Sequence, residues 1–364
     1  MFLYRTLRHA LKLGLELYYV DIQAVGQERV PESGPVMFAA NHPNSIMDTV
    51  VLGAQTNRSI SYLARSGLFK NPLMALLFRQ CGVIPVYRAQ DGPIAKGSNE
   101  SAFRAAFDVL RKGGTIGIFP EGQNAPERQV RDIKTGTARI ALGAEAEEDF
   151  GLGVKIVPVG LNFTDRDRYL TRVLVRFGEP IDARDFASAY RADERSAVRE
   201  LTDAIQQGIR EQAVHITDGR HTQLVSDVNA VYGRKLLDEL RGRLPDVRRL
   251  DQKLYDSMRA VRSGQDLDGY FEAKQRIADA AAHFQKADPE ALYRISRRLR
   301  RYKDHLAQAN LRADFVDRPP KTLRVRSEAI KMSLYAIVLA PIALYGALHN
   351  YIPARLTRRA ILRA

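Results

Sequence analysis

The chain has 364 residues, 45% of them hydrophobic, enough for a sizeable core and for two domains. With 56 Lys and Arg against 42 Asp and Glu the formal net charge is +14, which suits an anionic partner: nucleic acid, an acidic membrane surface or phosphorylated substrates. Cys81 is the single cysteine, so an intrachain disulfide is excluded, and its apolar context reads as a small buried residue in a reducing compartment rather than a nucleophile.

Residues 2–20 read as an amphipathic helix, with Arg5, Arg8, His9, Lys12 and Glu16 on one face and leucines and tyrosines on the rest. Its charges interrupt any apolar core and no small-residue cleavage site follows, unlike a signal peptide. Such a helix can lie in a membrane interface or pack on a domain. Tyr18 to Val25 reads as a strand and Gly26 to Gly34 as a loop. Pro35–Ala40 is a short apolar strand that ends at Asn41-His42-Pro43-Asn44, which is turn chemistry. Helical spacing resumes at Ile46, Met47, Val50 and Val51, with Ser45 as N-cap and Asp48 three residues later, as in a capping box. His42 therefore leaves a strand end while Asp48 stands in the first turn of the next helix, and across that junction the two can meet. A carboxylate there holds one imidazole nitrogen and leaves the other free as a base, although a His–Asp pair alone serves structure more often than catalysis.

Further strands are read at Ile60–Ala64, Val83–Tyr87, Thr115–Phe119, Lys155–Leu161 and Arg172–Phe177. Helices are read at Leu68–Phe78, broken by Pro72, at Glu100–Lys112, ended by Gly113-Gly114, and at Lys134–Glu147. Residues 89–99 read as a polar loop. Alternation of strands and helices implies an α/β layer structure with a mixed, largely parallel sheet, whose active groups collect at strand ends. From about 183 long charged helical patterns take over: roughly 192–214, 223–242, 247–262, 266–285 and 288–310. Within the last, Tyr293 to Lys303 is densely basic, a solvated face or a contact to anionic headgroups. Met332 to Leu348 is an uncharged stretch with Pro341 and Gly346. It stands at the ~17-residue lower limit for a membrane span, so a re-entrant hairpin and a buried helix remain alternatives. Arg355, Arg358, Arg359 and Arg363 follow it and favour a cytoplasmic, anionic leaflet.

Four segments in order carry a resemblance: the His42–Asp48 junction, Gly82–Arg88, Phe119-Pro120-Glu121-Gly122 and Val157–Phe163. Together they resemble the glycerolipid acyltransferase family, enzymes that acylate glycerol-3-phosphate or lysophosphatidic acid. Five residues separate His42 from Asp48, and Lys134–Leu142 follows the third segment. Both look like the glycerol-3-phosphate and dihydroxyacetone-phosphate acyltransferase branch. The resemblance covers roughly residues 1–215. It implies an amphipathic membrane-interface helix at 1–20 and an acyltransferase domain at 21–215. A helical domain at 216–325 and an apolar membrane-associating segment with a basic tail at 326–364 complete the reading.

By the same resemblance, His42 is the general base and Asp48 its orienting partner, with direct transfer from a thioester. Arg88, Glu121 and Gly122 bind the acceptor, Pro120 shapes the turn and Pro158 the acyl or thioester groove. Arg88, at a strand end, and Lys134, before a helix start, suit a phosphorylated acceptor. Glu121 beside a phosphate looks repulsive, and its role reads as binding a glycerol hydroxyl or a basic side chain. Gln123-Asn124 depart from the small hydroxyl or Ser-His pair that usually follows Glu-Gly, which bears on the acceptor's identity. The partners expected are an acyl thioester (acyl-CoA or acyl carrier protein, as co-substrate), a phosphorylated glycerol acceptor and an anionic membrane surface, at its cytoplasmic face. No cofactor, metal site, nucleotide-binding glycine motif or nucleic-acid docking motif is read. The competing readings are a lysophospholipid acyltransferase and a non-catalytic basic membrane-binding protein.

Overall fold

The computed structural model describes residues 2–87, 98–122, 129–166, 168, 171–216, 221–222, 224–225, 227–228 and 267–308. The chain forms two compact units, Met1–Ser296 and Arg297–Ala364. The first holds a mixed eight-stranded sheet. Its elements begin α1 (Phe2–Tyr18), β1 (Asp21–Val25), β2 (Val36–Ala40), α2 (Ile46–Ala54), β3 (Ile60–Arg65), α3 (Pro72–Gln80) and β4 (Ile84–Val86). They continue through α4 (Ser98–Arg111), β5 (Thr115–Ile118), α5 (Gly136–Glu147), β6 (Lys155–Phe163), β7 (Arg172–Phe177) and β8 (Ile181–Asp182). Helices α6 (Ala187–Ala192), α7 (Glu194–Gln212), α8 (Leu267–Ala287) and α9 (Pro289–Gln308) follow.

The strand order is β1-β7-β6-β2-β5-β3-β4, with β8 beside β6. Strands β2 to β6 run parallel wherever they pair, and β7 and β8 are antiparallel to β6. Every residue of β2 is wholly buried, as expected of a central strand covered on both faces. On one face Met37, Ala39, Ile116 and Ile156 meet α4, α5 and α7. On the other, Val36, Phe38, Ala40 and Val157 meet Leu15 of α1, Tyr19 just after it, and α2 through Val51 and Leu52. Helix α7 lies directly on β6. A Cβ on Gly160 would sit 2.1 Å from the Gln212 carbonyl oxygen, and one on Gly208 2.5 Å from the Pro158 ring.

Three local readings are corrected. Pro72 does not break a helix: a 3₁₀ turn covers Ser66–Phe69, and Pro72 opens α3 as its first residue, where its missing N–H costs nothing. Asn71 caps that helix, accepting from the Leu73 and Met74 amides. The segment after α1 is a helix through Tyr18, and β1 begins only at Asp21. Ser45 holds the N-cap position of α2 at φ 52° but its hydroxyl makes no capping bond.

The helical region does not begin a separate unit at 216. Val214, Ile216, Leu267, Phe271 and Ala278 share a third apolar cluster with Leu174 of β7. The start of α8 is tied to the sheet edge: Arg176 donates to the Asp268 carboxylate (2.5 Å), and the Leu267 amide to the Gln23 side chain (3.0 Å). The second unit begins within α9, where Arg297, Arg298, Arg300, Arg301 and Lys303 are exposed. The readings at 229–266 and 309–364, including Met332–Leu348, lie outside the described residues.

Candidate active site

Parallel pairing puts the C-terminal ends of β2, β5, β3 and β4 on one edge of the sheet. Asn41 is where β2 stops and β6 goes on. Its side-chain amide donates to the Leu161 carbonyl (3.1 Å) and accepts the Leu161 amide (2.7 Å), taking the place of a backbone peptide. The next residue, His42, is thereby placed at the strand end with its main chain fixed.

His42 is held at three points, two on its ring and one on its main chain. Its Nδ1 lies 2.9 Å from Asp48 Oδ2, across the strand-turn-helix junction. Its face stacks on Phe119, 4.3 Å between centroids at 20°. Its own amide donates to Glu121 Oε1 (3.1 Å). Behind Phe119 lies Tyr62, nearly parallel to it at 3° and anchored through its hydroxyl to the Thr49 carbonyl. Gly117 leaves room for that ring, since a Cβ there would meet Tyr62 at 2.5 Å.

Asp48 is wholly buried, and Oδ2 also accepts the Asn44 amide at 2.7 Å. The first-turn carboxylate thus braces the preceding turn instead of pairing with Ser45, because Ser45 has turned its backbone into positive φ. Burial raises the Asp48 pKa, opposed by the bonds from His42 and Asn44. With Asp48 ionised, Nδ1 carries the imidazole proton and Nε2 is the basic nitrogen. Among the described residues no protein group bonds to Nε2, and 17% of the side chain is exposed.

Glu121 is 5% exposed, and its two oxygens face the amides of His42 and Arg131 (3.4 Å for the latter). Burial raises its pKa as well. It accepts from these backbone amides and also feels the charge of Arg131, so it fastens the loop after β5 to His42. Pro120 is buried, and its carbonyl accepts the Lys134 amide (2.9 Å). That bond brings Lys134 over Gly122, where a Cβ would stand 2.9 Å from Lys134 Nζ; at φ 71° Gly122 has the left-handed backbone that favours glycine. The Lys134 side chain is exposed.

Pro158 goes elsewhere. It lies within β6 opposite Ala39, and its ring packs on Gly208 of α7, on the sheet face away from Phe119 and α2. Its carbonyl accepts the Gly178 amide, so its missing N–H faces the gap between β7 and β8. Arg88 and Gln123-Asn124 lie outside the described residues. The sequence reading missed Asn41, Phe119 and Tyr62. It also missed Arg166, which clamps the turn by donating to the Pro43 carbonyl and accepting from the Asn44 amide group (3.4 Å each). Only the aromatic at the strand end before Pro120 signalled any of these in advance. Among the described residues no cluster of His, Cys, Asp or Glu could hold a metal.

Residues 21–162 match the Acyltransferase family model. Among curated relatives, glycerol-3-phosphate O-acyltransferase 1 of Saccharomyces cerevisiae is 24% identical over 302 residues, spanning 59% of this chain and 40% of the yeast protein. The chain therefore spans well under two thirds of that relative's length. The 1-acyl-sn-glycerol-3-phosphate acyltransferase of Bacillus subtilis is 25% identical over 213 residues, 57% of this chain and 96% of the bacterial protein. The crystal structure of the 1-acyl-sn-glycerophosphate (LPA) acyltransferase PlsC from Thermotoga maritima aligns with a TM-score of 0.41 at 21% identity, covering 57% of this chain and 80% of that one. The stretch similar to the Acyltransferase family, residues 21–162, contains the His42–Asp48 pair.

Proposed function

We propose that the protein is an O-acyltransferase that moves a fatty acyl group from a thioester to the hydroxyl of glycerol-3-phosphate or a related phosphorylated acceptor, in phospholipid biosynthesis. The observation that carries the reading is the His42–Asp48 pair, with Nδ1 fixed at 2.9 Å on a buried carboxylate and Nε2 without a protein partner among the described residues. The acceptor hydroxyl gives its proton to Nε2 as its oxygen attacks the thioester carbonyl carbon. The tetrahedral intermediate collapses, the C–S bond breaks, and the imidazolium returns the proton to the leaving sulfur. Asp48 stabilises that imidazolium and keeps the tautomer in place. Phe119 fixes the ring plane, so the hydroxyl meets a nitrogen of set direction.

Lys134, above Gly122, supplies a cation for the acceptor phosphate, and Arg88 a second; Glu121 acts through His42 by anchoring its amide. The donor is acyl-CoA or an acyl carrier protein, no cofactor takes part, and the protein works at the cytoplasmic face of an anionic membrane. The name of the yeast relative supports glycerol-3-phosphate as acceptor; that of the Bacillus subtilis relative supports the lysophosphatidic acid reading instead.

Thiol release from a long-chain acyl-CoA, with and without glycerol-3-phosphate, is the test, with His42→Ala alongside. Release should depend on the acceptor and fall at least about a thousandfold in the variant. Turnover retained within about tenfold would refute His42 as base. Release with lysophosphatidic acid alone would keep the mechanism and change the acceptor.

A further inference from the structure

The sequence from residue 49 to residue 90 contains no Asp or Glu, yet it holds Arg58, Arg65, Lys70, Arg79 and Arg88. Arg58 is consumed in the fold, bonded to Pro31, Thr115 and Gly113. Arg65, Lys70 and Arg79 are exposed, and none has an acidic partner among the described residues. They surround α3, whose outward residues are apolar: Leu73 is 68% exposed, Leu76 55% and Met74 38%. The helix faces inward with Ala75 and Phe78, the latter against Phe69 (5.5 Å). With Asn71 capping its start, this is a firmly seated helix presenting leucines to the outside. Isolated apolar side chains on a surface are ordinary, but a ridge of three among unpaired cations is not.

The place of the ridge matters. Helix α3 starts from the end of β3, the same edge of the sheet from which His42 leaves β2 and Phe119 leaves β5. Two other exposed apolar residues stand on that edge, Ile46 (65%) beside the catalytic turn and Tyr87 (40%) after β4. At nine residues α3 is far too short to cross a bilayer, and among the described residues no helix is long and apolar enough to do so. Apolar residues flanked by cations and free of anions match the boundary between acyl chains and anionic headgroups.

The geometry points to α3 as a docking element for an anionic phospholipid surface, with Leu73, Met74 and Leu76 entering the acyl-chain boundary and Arg65, Lys70 and Arg79 on the headgroups, so that the His42 edge faces the bilayer. It rests on the acyltransferase reading only for why that edge should meet lipid.

The test places an environment-sensitive fluorophore at position 76 of the full chain, through Leu76→Cys with Cys81→Ser. It adds phosphatidylcholine vesicles containing about one-fifth phosphatidylglycerol. Emission should shift to the blue and intensify. The shift should be lost when Lys70→Glu and Arg79→Glu are added, and should be much weaker on phosphatidylcholine alone. A label that stays in water while the protein floats with the vesicles would overturn the proposal and assign binding to other segments. A label blue-shifted before vesicles are added would overturn it in favour of another part of this chain. A shift with acyl-CoA and no vesicles would put the donor's chain there instead. Turnover of a water-soluble short-chain thioester by Leu73→Glu with Leu76→Glu, expected within about twofold of the parent, separates this proposal from the catalytic one. An inactive chain whose label enters lipid refutes only the latter.

Discussion

The two ends of the parallel strands carry similar polar residues and use them oppositely. At the N-terminal end Arg58 donates to the Thr115 hydroxyl (2.5 Å) and to the carbonyls of Pro31 (2.7 Å), Gly113 (3.1 Å) and Gly34. Its guanidinium closes the loops before β2 and β5 onto the start of β3, and its donors all point into protein. At the C-terminal end the groups are anchored just as firmly from behind, through Asn41, Asp48 and Glu121, but each leaves something facing outward. Among the described residues no protein group bonds to His42 Nε2 or to the Lys134 ammonium. Charge therefore does not mark the site. What marks it is a scaffold fixed from behind, carrying a few polar atoms that no protein group bonds among the described residues.

The contrast can be broken most sharply at Asp48. Asp48→Asn preserves shape but cannot hold the Nδ1–H tautomer by charge, and kcat should fall roughly 10²- to 10⁴-fold with the unfolding midpoint little changed. A fall under about fivefold in steady-state kinetics would remove Asp48 from the mechanism. At the other end the effect should invert. Arg58→Ala strands several carbonyls and should cost about 2–4 kcal/mol in denaturant unfolding, while turnover per folded molecule stays at the parental level. A selective loss of kcat there would show that the two ends are not functionally distinct. Lys134→Ala should raise the acceptor's KM about tenfold and leave the thioester's within about twofold; equal changes would exclude a role on the acceptor.

The smallest effect is a change of slope. Burial raises the Glu121 pKa above its unfolded value, so between the two the native state binds more protons than the unfolded chain. Stability then falls as pH rises through that window, from about pH 4 upward. Glu121→Gln has no proton to lose, and its unfolding midpoint should fall less as pH rises there; what slope remains combines Asp48, shifted the same way, with Asp182 and His215, shifted down and therefore opposite in sign. An unchanged slope would mean that Glu121 titrates as an ordinary carboxylate.

Much of this was readable beforehand, and the failures share a cause. Central strands such as β2 and β6 announce themselves as unbroken apolar runs, and the His42–Asp48 junction follows from where a strand stops and a helix starts. Partner choice is another matter. Ser45 and Asp48 have capping-box spacing, but the tight turn after His42 forces Ser45 into positive φ and gives the carboxylate to Asn44 and His42. Pro158 has the look of a groove residue, and only its alternation along β6 reveals that it faces α7. Arg58 and Arg88 are indistinguishable as letters, and three-dimensional acceptors decide that one of them is structural. The docking of α8 on β7 depends on Arg176 and Asp268, ninety-two residues apart, a pairing that no local pattern encodes.

Asn41 has one more consequence, for motion. Because its side chain stands in for a peptide group against β6, the histidine beside it is coupled to the stiffest part of the molecule and not to the loop it opens. The amides of Leu161 and His42, one bonded to Asn41 and the other to Glu121, should open to solvent only when the sheet edge itself lets go. His42, the general base of the proposed mechanism, then shares the slow fluctuations of a central strand, while an exposed side chain such as Lys134 is left to move on its own faster clock.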